Sequence, residues 1–107
     1  MEEKLLKLLY KNAEAAEKLG IRQVKFKADL ARFGAVRVCR NLIRRGLPSE
    51  AFEGLRKAGR LELSPEAAIV SKEFAPLFTD DEVNFCFSLL CEAGYYEAVG
   101  ISGGLLS

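Results

Sequence analysis

From Thr79 to Gly94 the chain carries a helix with both ends written into it. Thr79-Asp80-Asp81-Glu82 is a capping-box pattern, in which the Thr79 hydroxyl takes the amide of Glu82 while the Glu82 carboxylate reaches back to the amide of Thr79. Gly94 suits the left-handed turn that closes a helix. Between them Val83, Phe85, Cys86, Phe87, Leu89, Leu90 and Ala93 put apolar side chains on nearly every side, so neighbours are required on several faces. The elements able to supply them are also helices. The expected fold is all-α, a small single-domain bundle of five to six helices, several of them short, packed around the segment 78–93.

The rest of the chain is punctuated accordingly. Residues 2–19 place Leu5, Leu8, Leu9, Ala13 and Ala16 on one stripe at the 3.6-residue period, and Gly20 ends that helix. Phe26, Leu30 and Phe33 mark a second helical face, although Val24-Lys25-Phe26-Lys27 also alternates as a short strand would. After a corner at Gly34, residues 35–45 form the cleanest amphipathic helix, with Val36, Cys39, Leu42 and Ile43 inward and Arg37, Arg40 and Arg44 outward. Gly46 and Pro48 close it. Ser49 reads as the cap of a short helix over 50–57, and Ser64-Pro65 as the cap and first position of another over 66–70. One further turn is expected within 72–77.

At 107 residues, half of them hydrophobic and 29% charged, the chain suffices for one core and one domain, 1–107, with 95–107 as a partly flexible, glycine-rich tail. Met1-Glu2-Glu3-Lys4 lacks the positive start of a secretory signal and no apolar run could span a bilayer, so a cytoplasmic protein without membrane contact is expected. Three cysteines and no histidine argue against a disulfide framework and against mixed Cys/His zinc sites; reduced thiols and no metal or cofactor are expected. Without imidazole the commonest general base is missing, and no carboxylate, lysine or thiol arrangement replaces it, so the chain is read as non-enzymatic with no catalytic residue.

Charge is segregated along the chain. Residues 22–60 hold eleven Lys or Arg against three acids, a net +8, and residues 61–107 hold one Lys against eight acids, a net −7. The two halves either neutralise each other across the fold or leave a basic patch centred on Arg37, Arg40, Arg44 and Arg45, suited to an acidic protein or to nucleic acid. The outline of two helices about Gly34 also fits a helix-turn-helix that offers Arg37, Arg40, Asn41 and Arg44 to a groove, although a plain helix hairpin has the same outline.

Smaller patterns have simpler explanations. Cys39 to Arg45 has the spacing of a cysteine phosphatase loop, but the residues between read as helix and contain no glycine. Cys86 and Cys91 fall on different helix faces and are read as core thiols, and Asp80, Asp81 and Glu82 answer the helix dipole. Tyr95-Tyr96 is read as a hydrophobic seal on the helix end and, with the arginine face, as a candidate contact.

Residues 33–96 resemble a widespread, largely uncharacterised bacterial helical domain. The shared pattern is Gly34-Ala35-Val36, the basic helix Arg37 to Arg45, Gly59-Arg60-Leu61-Glu62-Leu63-Ser64, Leu77-Phe78-Thr79, the acidic turn Asp80 to Glu82, and Gly94-Tyr95. The chain departs from it at Ala51-Phe52 and Arg56, where a Gly-Phe and an aromatic residue are expected. The resemblance implies a place in bacterial or mobile-element gene sets and carries no activity. The functional expectation is a protein-binding or regulatory module, self-association included, with Arg37, Arg40, Asn41, Arg44, Arg45, Tyr95 and Tyr96 as candidate contacts; nucleic-acid binding through the same helix is the alternative.

Overall fold

Glycine stops and side-chain caps set the element boundaries. A computed structural model describes residues 2–98. Among them lie six helices of six residues or more: α1 (Glu2–Lys18), α2 (Val24–Phe33), α3 (Ala35–Arg44), α4 (Phe52–Ala58), α5 (Pro65–Val70) and α6 (Asp80–Glu92). Single 3-10 turns at Leu61–Leu63 and Ala75–Leu77 and one last helical turn, α7 (Tyr95–Ala98), complete the set, with no strand among the described residues. The segment 24–27 is therefore helical. Part of the tail expected to be flexible forms α7, and residues 99–107 lie outside the described residues.

Both capping expectations on the C-terminal half hold. The Thr79 hydroxyl accepts the Glu82 amide at 3.2 Å and the Glu82 carboxylate accepts the Thr79 amide at 2.8 Å. Ser64 accepts the Ala67 amide at 3.1 Å, with Pro65 at the first helical position. Gly94, at φ 77°, closes α6 in the left-handed conformation.

The core has two parts. Leu5 and Leu9 of α1, Leu30 of α2, Cys39 of α3, Ile69 of α5 and Cys86 of α6 meet in the larger one. Ala16, Phe52, Leu55, Leu61, Leu90 and Tyr96 form the smaller. The helix most enclosed is α5, which buries Pro65, Glu66, Ala68 and Ile69 out of six residues. By contrast α6 lies along α5 and α3, burying Cys86 and Leu90 while Asn84 and Ser88 remain exposed. Its apolar residues on the remaining sides are only half covered.

Ser49 departs from expectation. It does not cap α4, which starts three residues later with no side-chain cap. Instead its amide and hydroxyl both donate to the buried Glu66 carboxylate, at 2.7 and 2.9 Å. A carboxylate buried this deeply needs hydrogen-bond donors, and Ser49 supplies two. The pair fastens the 46–51 connection onto α5.

The thiols divide. Cys39 and Cys86 are buried, and burial pushes the Cys86 thiol up to about 12 and the Cys39 thiol in the same direction. Cys91 is exposed, contrary to the expectation of a core thiol, because five residues of helix rotate it well away from the face of α6 that Cys86 presents to the core.

The corner between α2 and α3 is a single residue. Gly34 sits at φ 86°, ψ 163°, a region open essentially to glycine alone, and its amide closes α2 onto Leu30 O at 3.0 Å. An added Cβ would also meet Glu2 Oε2 at 3.2 Å. Gly34→Ala is therefore expected to cost about 1–3 kcal/mol, read as a lower midpoint in urea unfolding. An unchanged midpoint would mean that the corner relaxes freely.

Candidate protein-interaction face

Successive α3 side chains turn by about 100°, so Arg40, Arg44, Arg37, Asn41 and Arg45 follow one another around the outer half of the helix. All five are exposed, while Ala35, Val38 and Cys39 hold the inner half against the core. Arg37, Arg40, Asn41 and Arg44, with Glu2 and Val36, line an open concavity of about 450 Å³. Glu2 enters because α1 begins beside the start of α3, where its carboxylate accepts the Val36 amide at 3.2 Å.

The arginines are not equivalent. Arg40 is a structural fastening: Nε lies 3.2 Å from Glu82 Oε2, and Nη2 donates to Leu77 O at 3.3 Å. It ties α3 to the carboxylate that also caps α6. Arg37 stacks on Phe33, its Cζ 5.4 Å from the ring centroid, and Arg32 lies 5.3 Å from the same centroid. Arg37, Arg44 and Arg45 form no ion pair among the described residues. The same is true of Arg22, Lys25 and Arg32 on the neighbouring segment. Of the ion pairs described, only Arg40–Glu82 and Arg60–Glu62 join the basic segment to the acidic one, so the basic face stands largely open.

A trough adjoins this face. Between α2 and α3 lies a cavity of about 140 Å³, walled by Phe26, Phe33, Val38 and Leu42 with Lys25 and Arg45 at its edge. It shares Lys25, Phe26, Leu42 and Glu50 with a second cavity of about 280 Å³, which runs on past Arg22 and Val24 to Ser49 and Pro65. Val24 is 66% exposed and Phe33 40%, high for large apolar residues. Sequence periodicity put Phe26 and Phe33 on one helical face and named Val24 only within the strand-like alternation of 24–27. The missing signal was tertiary, because the cavity is lined by residues of both helices and of the connection after α3.

Tyr95 and Tyr96 lie elsewhere. Tyr96 is buried in the smaller core cluster, its ring 5.1 Å from that of Phe87, and burial pushes its hydroxyl up to about 12. Tyr95 is half-buried, packs edge-on against Tyr96 at 5.1 Å, and lines a separate cavity of about 110 Å³ with Arg56, Leu61 and Glu62. The two rings seal the end of α6, and neither lines the concavity on α3.

Among the described residues no group of three or more Cys, Asp or Glu is arranged to hold a metal ion, and no helix is long and apolar enough to cross a membrane. No protein-family model matches the chain, and none of the curated proteins or solved structures compared with it is similar.

Proposed function

We propose that the chain is a non-enzymatic module that binds an acidic protein partner through the outer face of α3, as a regulatory component of the bacterial or mobile-element kind that the resemblance of residues 33–96 implies. The observation that carries this reading is that Arg37, Arg44 and Arg45 are exposed on one helix face without ion-pair partners among the described residues. Uncompensated cations on a rigid, packed helix attract and orient an oppositely charged surface at little ordering cost. The buried thiols support the non-enzymatic part, since burial holds Cys39 and Cys86 protonated and unreactive.

A partner captured by crosslinking in cells and then purified provides the test. Arg37→Glu, Arg44→Glu and Arg45→Glu together are expected to weaken its binding more than about a hundredfold, since interfacial arginines commonly carry 1–2 kcal/mol or more each. Unchanged affinity would rule the face out. The cations on α3 also fit the alternative of nucleic-acid binding, which requires affinity for random duplex that falls steeply with salt. Against it, the Glu2 carboxylate sits at the start of α3, the end that would enter a groove, and would meet the phosphates there.

A further inference from the structure

The trough between α2 and α3 is the feature that the basic face alone leaves unexplained. Phe26, Phe33, Val38 and Leu42 give it an apolar floor, it is continuous with the second cavity through Lys25, Phe26, Leu42 and Glu50, and Phe33 here and Val24 in the second cavity are exposed beyond what a solvated surface gains from. Arg22, Lys25 and Arg45 stand on its borders without ion pairs among the described residues. Asn41 lines both the trough and the arginine concavity, so the apolar and basic surfaces are two sides of one ridge. The ten residues of α2 make the trough wall about 15 Å long, close to three turns of a helix laid beside it.

We infer that this ridge and trough receive an acidic amphipathic helix of a partner protein, with its apolar stripe in the trough between α2 and α3 and its flanking carboxylates on Arg45, Arg44 and Arg37. The inference rests on the proposed binding of an acidic partner and adds the form of the bound segment. Helix-in-groove recognition needs an apolar floor for anchor residues one turn apart and a charged border of opposite sign, and both are present. A phosphate backbone fits worse, because it brings no apolar side chain to the floor that Phe26, Phe33, Val38 and Leu42 form, whereas an amphipathic helix can seat its apolar stripe beside Asp29 and Glu50 and hold its carboxylates on the arginine side.

The test uses the full chain and a fluorescein-labelled helical peptide of about fifteen residues, with leucines at every third and fourth position, glutamates on both flanks and glutamine and alanine behind. A second peptide has the same composition with the leucines redistributed so that the stripe is lost. In anisotropy titrations the striped peptide is expected to bind at least about tenfold tighter, the difference made by seating one or two large apolar side chains. Phe33→Ser and Val24→Ser, both at exposed positions, are expected to remove this preference while leaving the melting curve unchanged.

Arg44→Glu with Arg45→Glu is expected to weaken both peptides. Equal binding of the two peptides by the unaltered chain would overturn the trough and leave the basic face standing, whereas binding of neither would overturn both. A preference that survives Phe33→Ser and Val24→Ser would place the helix elsewhere and overturn the inference. Tighter binding of a random duplex than of the striped peptide would replace it with the nucleic-acid reading.

Discussion

Replacing Glu66 with alanine is expected to lower the stability of the fold by about 3 kcal/mol, one of the largest losses available from a single polar side chain here. The carboxylate is 3% exposed and is the acceptor for both the amide and the hydroxyl of Ser49. Its removal leaves the two donors of Ser49, a residue only 7% exposed, without partners, and opens a cavity against α5. Glu66→Gln separates the contact from the charge. The amide oxygen can accept the Ser49 N–H while the amide NH2 donates to the Ser49 hydroxyl, so both bonds survive with one direction reversed.

Burial holds the Glu66 carboxyl above its ordinary value of 4.5, with the Ser49 bonds opposing that rise. A proton held more tightly by the folded than by the unfolded chain stabilises the fold most below the unfolded value. That contribution is lost as pH rises from about 4.5 through the folded value. The unaltered chain is expected to lose stability across that window on this group's account, and Glu66→Gln is expected to flatten the dependence and to gain on the parent as pH rises. Urea midpoints at pH 4 and pH 8 check it. A Glu66→Gln protein with the parent's pH dependence would assign the slope to other groups.

Leu5→Ala is expected to cost about 2–5 kcal/mol, the range for truncating a fully buried leucine, and to lower the melting temperature by roughly ten degrees or more. Leu5 is 0% exposed in the larger core cluster, where α1 meets the α2–α3 hairpin. Because α1 touches both helices, this loss is expected to loosen the hairpin before the α4 side of the fold, which packs in the other cluster. Amide hydrogen exchange would show faster opening in 24–44 than in 52–58. Leu47→Ala is the control: Leu47 is 62% exposed, and its replacement is expected to leave the melting temperature unchanged. A full-sized loss at Leu47 together with none at Leu5 would contradict this division of the core.

The elements whose signals are local were legible in the sequence. Thr79 with Glu82, Ser64 with Pro65, and the glycine stops at 34, 59 and 94 each act within four residues, and each behaves in the fold as its neighbours dictate. Ser49 shows the limit of such reasoning. Its sequence context is that of a cap, but its amide and hydroxyl donate to Glu66, seventeen residues on, and its oxygen accepts no amide at the start of α4. Glu66 in turn follows Ser-Pro as an ordinary first-turn acid would, and only tertiary packing reveals it as buried.

On the candidate face, the outward set on α3 followed from helical period alone. Two properties did not. That Arg40 is fastened to Glu82 depends on a contact 42 residues away, and that the arginines beside it stand open depends on where the acidic half of the chain settles. The trough needs two helices at once, because its walls alternate between α2 and α3 and neither stripe alone distinguishes a groove from a core.

The open basic face on α3 is tested most directly by the amide spectrum of the 15N-labelled chain titrated with the striped acidic peptide. The expected result is shifts concentrated at residues 22–26, 33 and 37–45, on both sides of the ridge. Shifts confined to Arg56, Leu61, Glu62 and Tyr95, around the separate cavity at the end of α6, with none on α3, would contradict it.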